Sequence, residues 1–493
     1  MKLIHPLYLL LILLITGSCS GIKNLNKPQL NLPETIAGTE DMDSLTIADM
    51  GWWEFYGDEN LKEIISQTLQ NNRRLLAAAE KVEQARLMYK VDGAKLLPEL
   101  SFKAPWNHET NDYFREKYIP DPEIGIKASI AWEVDLFGSL TWQKRKSKYQ
   151  YNATEEDLRA MRMLLVAEVA SAYFRLVALD NELEIVKSTM EFREEGVRLA
   201  KLRYEGGLTS ETVYQQAQVQ YATAAALIPN LEYNIEITEN VISLLMGEYP
   251  DKKIKRSSML KDNTLPYRLP LGLPSDLLER RPDVRAMEQR LEAAVANVGY
   301  TYAKRFPSLN IELTGGVEND KFNGLFRSPF SYVAENFVAP LVDFGRRKNT
   351  YKAAIAAYNE ARYSYENKVI EVFNEVNDAL ARYNTARQAV ALDSELLIAS
   401  YKYQDLTWKQ YQGGTINYID VLDAQRRYLE AQIARTNAIR DEHLALVQLY
   451  KVLGGGWQIQ DLSDSKEEVL RDNETTYNKD AENKINILQG VGE

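Results

Sequence analysis

Hydrophobic positions along this chain follow two distinct periods. Leu165, Val169, Ala172, Leu176, Leu179, Leu183, Val186 and Met190 step by four and three alternately. A sustained spacing near 3.5 residues puts them on one helix face and demands a partner helix in a left-handed pair. Arg193 interrupts this stripe and Val197 resumes it. Ala217, Tyr221, Ala224, Ile228, Leu231, Ile235, Thr238, Ile242 and Leu245 keep the same spacing, so the two stretches are predicted to zip together as antiparallel helices. Between Ser139 and Glu205 there is no proline and one glycine, Gly196. A single helix over that stretch is on the order of 100 Å long. Pro229 lies within the return segment and is expected to kink it.

The second period is two. Ile124, Ile126, Ala128, Ile130, Trp132, Val134 and Leu136 alternate with their neighbours up to Gly138, which predicts a strand of roughly membrane-crossing length. Residues 100–106, after Pro98, are its expected hairpin partner, across a polar loop at 107–122. A second hairpin pairs Leu309, Ile311 and Leu313 with residues 330–344 across a loop rich in Gly, Asn and Asp. Four strands do not close a barrel, and open edges are not tolerated in lipid. Either the sheet lies outside the membrane or subunits share one barrel, three protomers giving twelve strands.

The chain repeats itself. Gly138, Tyr204, Gly206, Gly207, Ala217, Gln218 and Gly247 recur 207 residues later as Gly345, Tyr411, Gly413, Gly414, Ala424, Gln425 and Gly454. Ala85, Ala94, Pro98 and Leu100 recur 209 residues later as Ala294, Ala303, Pro307 and Leu309. The second outgoing stripe reads Val372, Val376, Ala379, Tyr383, Ala386, Val390 and Leu397, with Asp393 as its exception. Each helical hairpin turns at a Gly-Gly pair able to adopt left-handed backbone, and Thr209 or Ser210 is available to cap the first return helix. The fold class that follows is mainly α with a small β part: long antiparallel coiled-coil helices, four β-strands per protomer and an internal two-fold repeat.

Composition narrows the role. With 59 Lys and Arg against 70 Asp and Glu, a net charge of −11 and no long basic run, phosphate-rich nucleic acid is an improbable partner. One cysteine excludes internal disulfides and multi-thiolate zinc sites, and His5, His108 and His443 are too scattered to suggest a metal cluster. No nucleophile and base are arranged for catalysis, so neither enzymatic activity nor a cofactor is expected. Arg280, Arg281 and Asp283 beside Pro282 are read as setting a linker and a helix start.

The lone cysteine has an informative place. Lys2 precedes an apolar run at residues 7–15, followed by Gly17-Ser18-Cys19. The run is shorter than the ~20 residues a spanning helix needs, so it reads as a cleaved export signal. Small residues before a single Cys resemble a bacterial lipobox, although Thr16 departs from the usual Leu. Cys19 is accordingly the candidate lipidation site and membrane anchor.

Motif order supplies a resemblance. Trp52-Trp53-Glu54-Phe55-Tyr56, Leu97-Pro98-Glu99-Leu100, Trp132-Glu133-Val134-Asp135-Leu136-Phe137-Gly138, Leu273-Pro274-Ser275-Asp276-Leu277-Leu278-Glu279-Arg280-Arg281-Pro282-Asp283, Phe306-Pro307-Ser308-Leu309 and Asp343-Phe344-Gly345 stand in sequence. Together they resemble TolC-like outer-membrane efflux proteins, in the lipoprotein branch serving resistance-nodulation-division (RND) pumps, over almost the whole mature chain. Met287-Glu288 departs from the usual Ala-Glu.

The resemblance implies a homotrimer, with a 12-stranded β-barrel in outer-membrane lipid and a helical α-barrel in the periplasm. It further implies a periplasmic adaptor (membrane fusion) protein and an inner-membrane RND-type transporter as partners. On this reading residues 1–18 are the signal peptide and 19–50 a lipidated extended segment. The first repeat is 51–260, with a β-hairpin near 99–137 and a helical hairpin at 139–246. The second is 261–457, with a β-hairpin near 308–344 and a helical hairpin at 346–453, and 458–493 is a polar tail.

Residues 411–424 match the family's periplasmic gate. Asp420 and Asp423, three apart on one helix face, and Tyr411 are the gate candidates. Val213 and Gln216 occupy the equivalent places in the first repeat, so capping alone does not require acids there. Ile416 stands where some members carry an arginine that ties the hairpin shut. Arg203, Gly206, Gly207, Ser210, Gly413 and Gly414 are the expected adaptor-docking tips. The function implied is a passive outer-membrane exit channel for drugs or other small molecules. A non-conducting coiled-coil envelope lipoprotein, or the exit duct of a metal-efflux or protein-secretion system, is the alternative.

Overall fold

The computed structural model describes residues 46–111, 119–250, 253–258, 274–319, 321–339 and 342–457, with five single positions between 25 and 33. The expected signal peptide, Cys19 and the tail at 458–493 lie outside the described residues. In chain order the elements are α1 (Trp52–Phe55), α2 (Glu59–Asn71), α3 (Arg73–Ala94), β1 (Glu99–Lys103), β2 (Trp106–Asn111), β3 (Ile119–Val134), α4 (Ser139–Glu205), α5 (Glu211–Ala225) and α6 (Ile228–Met246). They continue as α7 (Pro274–Arg280), α8 (Pro282–Ala303), β4 (Ser308–Asn319), β5 (Pro329–Val338), α9 (Arg346–Gln412) and α10 (Tyr418–Val452). Two units can be described separately. Among the described residues, one comprises Ala78–Leu158 and Asp283–Ile370, the other residues 46–77, Arg159–Pro282 and residues 371–457.

The first unit holds the sheet. Its order is β1-β3-β4-β5, all antiparallel, with β2 also paired to β3. β1 and β2 occupy successive stretches of the same edge of β3, so they form one lane broken at Ala104-Pro105. Pro105 has no N–H to give, yet its carbonyl still accepts from Gly125 N at 3.0 Å. Register sorts the sheet into two faces. Leu100, Phe102, Ile126, Ile130, Trp132, Leu309, Ile311, Leu313, Val333 and Phe337 share one face. Ser101, Lys127, Ser129, Glu133, Asn310, Glu312, Thr314, Glu318 and Asn336 share the other; β5 is mixed, placing Glu335 on the first face and Phe330, Tyr332 and Val338 on the second. On the polar face Ser129 and Thr314 hydroxyls meet at 2.7 Å and Lys127 pairs with Glu318 at 2.9 Å.

The two long helices start alike. Asp135 accepts from the backbone N–H of Leu140 (2.9 Å) and Thr141 (2.8 Å), after Gly138 at φ 75°. Asp343 accepts from Gly345 and Arg347 N–H, both at 3.1 Å, with Gly345 at φ 87°. Asp135-Leu136-Phe137-Gly138 and Asp343-Phe344-Gly345 are thus helix-start devices that satisfy otherwise orphaned donors.

In the second unit the predicted stripes are buried: Leu165, Val169, Ala172, Leu176 and Val186 on α4, and Val372, Val376, Ala379 and Tyr383 on α9. Val186 packs with Leu231 of α6 and Leu429 of α10, flanked by Leu179, Leu183, Ile228 and Ile433. Arg193 does not leave the seam. It is buried and donates from Nη1 to the Gln220 carbonyl of α5 at 2.6 Å. The return segment differs from a kinked helix: α5 ends at Ala225 and α6 begins at Ile228 with Pro229 in its first turn, where a missing N–H breaks no bond. α10 contains no proline and runs unbroken. The aromatic motif before α2 is structural, since Phe55 stacks on Tyr450 with centroids 4.1 Å apart and Tyr450 donates to Met50 O at 2.6 Å. Arg281 is buried, donating to Val452 O at 3.0 Å and pairing with Glu375 at 2.6 Å.

Candidate functional site

Both helical hairpins of the second unit turn through the same hydrogen-bond pattern. Gly207 N–H reaches Tyr204 O at 2.9 Å and Leu208 N–H reaches Arg203 O at 2.8 Å. In the second repeat Gly414 reaches Tyr411 O and Thr415 reaches Gln410 O, both at 3.0 Å. These paired bonds define Schellman caps, whose pivot needs left-handed backbone. Gly207 and Gly414 supply it at φ 70° and 77°. Gly206 and Gly413 precede the pivots and do not have positive φ. Ser210 and Asn417 sit at the next N-caps, but neither side chain makes a capping hydrogen bond.

Between the turns lies an apolar knot. Ala200, Ala217, Tyr411, Tyr418, Val421 and Leu422 are buried together, with Val197, Val213, Trp408 and Ile416 against them. Ile416 therefore contributes packing at the position where an arginine was absent. The Arg203 guanidinium lies 4.6 Å from the Tyr411 ring centroid, and Tyr418 lies 5.1 Å from it. Two expected site residues from different repeats are thus in direct contact. Tyr418 was not singled out in the sequence; burial, with Tyr411 beside it, pushes its hydroxyl up to about 12. Burial holds the nearby Arg193 below the ordinary guanidinium range.

The two aspartates differ. Asp420 is exposed, with no ion pair or hydrogen bond to its carboxylate among the described residues. Asp423 accepts from Arg427 Nε and Arg426 Nη2, each at 2.7 Å. Those hydrogen bonds hold its carboxyl below the usual carboxylate range. Arg426 also reaches Glu430 at 3.1 Å. An Asp followed by Arg three and four positions later was the available sequence signal for this clamp. Asp423 and Arg426 border a groove of about 440 Å³ between α5 and α10, with Thr212, Gln215, Gln216 and Ile419 on its walls. Among the described residues no group of three His, Cys, Asp or Glu side chains is placed to hold a metal.

The family model described as Outer membrane efflux protein matches residues 64–248 and 273–455, one span per repeat. The chain belongs to this family. Solvent efflux pump outer membrane protein SrpC of Pseudomonas putida is 30% identical over 462 residues, covering 91% of this chain and 97% of the relative. Cation efflux system protein CusC of Escherichia coli O6:H1 is 28% identical, covering 90% and 97%. The crystal structure of the open state of the Neisseria gonorrhoeae MtrE outer membrane channel superposes with a TM-score of 0.77 at 26% identity, covering 87% of this chain and 97% of that one. As a member of this family the protein is an outer-membrane component of efflux systems.

Proposed function

We propose that the chain is the exit duct of a tripartite efflux assembly, conducting small molecules passively from an inner-membrane RND-type transporter and a periplasmic adaptor to the exterior. One observation carries the reading: a four-lane sheet, mainly apolar on one face and mainly polar on the other across β1, β3 and β4, with edges at β1/β2 and β5. No helix among the described residues is long and apolar enough to cross a membrane. In an outer-membrane protein the remaining spanning device is a closed barrel, and three copies of four lanes make one of twelve strands. The polar face then lines the lumen and the apolar face meets lipid. Acylation of Cys19 anchors the mature N-terminus.

The tips of the helical hairpins form the gate. Tyr411 is held between Arg203 and Tyr418, and Asp420 and Asp423 ring the constriction. Gly206, Gly207, Ser210, Gly413 and Gly414 shape the ends that an adaptor meets. The protein purified in detergent is expected to sediment as a trimer and, placed in planar bilayers, to give small current steps, enlarged by Tyr411→Ala. A trimer with no steps under that substitution would favour the non-conducting lipoprotein instead.

A further inference from the structure

At the end of the sheet away from α8 and α9, β4 and β5 are joined by a 3-10 turn, Phe322–Arg327, that is built rather than loose. The Asn319 side chain donates to Ser328 Oγ and accepts from Lys321 N–H, both at 2.9 Å, and Gly324 N–H reaches Lys321 O at 3.0 Å. Leu325 is 3% exposed, whereas Phe322 and Phe326 are 71% and 74% exposed. Lys321 and Arg327 flank the two rings in sequence, and neither cation forms an ion pair among the described residues. Asn319 pairs with Ile124, on the register of the apolar face, and a Cβ on Gly324 would lie 2.7 Å from its amide nitrogen. The turn therefore folds toward the apolar side of the sheet.

Two exposed aromatic rings beside two cations, continuous with an apolar sheet face, match the chemistry of a membrane–water boundary. Rings are favoured at headgroup depth, and lysine and arginine bind phosphate oxygens there. We propose that this turn is a lipid-docking element, seating Phe322 and Phe326 at the headgroup boundary and Lys321 and Arg327 on phosphate-bearing outer-leaflet lipid. The proposal rests on the sheet spanning the outer membrane.

The test places a nitroxide at Phe322→Cys, Phe326→Cys, Ile130→Cys or Glu430→Cys in the full chain. The parent chain is labelled in parallel to supply any background from Cys19. Samples are reconstituted in phosphatidylethanolamine vesicles with or without lipopolysaccharide. At 322 and 326 the ratio of oxygen to nickel-chelate accessibility should exceed that at 430 by about threefold or more, as expected for a headgroup-depth site. With lipopolysaccharide present, Lys321→Gln with Arg327→Gln should lower that ratio. Lipid exposure at 130 with water exposure at 322 and 326 overturns this proposal alone. Water exposure at all three overturns the membrane-spanning sheet as well. Immersion that ignores the double substitution overturns the role given to phosphate.

Discussion

At the residue scale, charge at the hairpin tip is more balanced than the paired aspartates suggest. Asp420, Asp423 and Arg427 step by three and four along α10, so the cation lies on the same face as both acids. Asp423 is engaged by two guanidiniums while Asp420 has no such partner among the described residues, so the proposed constriction would carry less net negative charge than a bare carboxylate ring. Arg427→Gln is expected to make the proposed channel more cation-selective and more easily blocked by multivalent cations. A reversal potential measured under a salt gradient checks this, and an unchanged value places the pair off the conducting path. A second residue-scale expectation concerns the turn pivots. A Cβ on Gly414 meets nothing within 4 Å, so Gly414→Ala costs only its left-handed backbone, about 1 kcal/mol. Faster hydrogen exchange at the Thr415 amide would report it, while Gly413→Ala should leave that amide almost unaffected.

At the element scale, the sequence shows most where a single physical requirement dominates. The 67 residues of α4 are legible because they hold no proline and one glycine, and because the apolar stripe keeps its spacing from Leu165 to Met190. The strands are legible through their strict alternation. Less legible are features that need a partner distant in sequence. Arg193 looks like an interruption until the Gln220 carbonyl is seen opposite it, and the β1–β2 break depends on how Pro105 meets β3. Arg203 and Tyr411 could each be assigned to a tip, but their stacking across the two repeats has no local signature. That contact yields a prediction: a double-mutant cycle of Arg203→Gln and Tyr411→Leu should return a coupling of about 0.5–1 kcal/mol, the range for a partly exposed cation–π pair. Hydrogen exchange of the second turn is the measurement, and strictly additive effects would show the stacking to be incidental. Sheet pairing is more sharply constrained. A Cβ on Gly316 would fall 2.2 Å from Ile126 O, so Gly316→Val should separate β3 from β4 and abolish membrane insertion, read by loss of heat-modifiable protease resistance.

At the scale of the whole molecule, coiled-coil faces stand exposed among the described residues. Tyr233, Ile237, Val241 and Leu244 of α6 are exposed, as are Leu392, Leu396, Tyr403 and Leu406 of α9. The α9 set steps by four, seven and three, the spacing of the buried seams, so it asks for a helix that the described residues do not provide. Contiguous apolar stripes of this kind are costly in water and mark association surfaces. A second copy is the economical occupant, because the sheet edges demand further copies for an independent reason and closed cyclic symmetry satisfies both. Leu396→Glu with Leu406→Glu is therefore expected to release monomers that keep their helical circular dichroism. Sedimentation separates the outcomes: monomers of native helicity place the α9 stripe in the subunit interface, whereas an intact trimer moves that interface elsewhere and leaves the stripe to another partner. Because the substitutions lie on α9 beyond Ile370, outside the unit that carries the sheet, a loss of trimer would also show that barrel closure alone does not hold the assembly together.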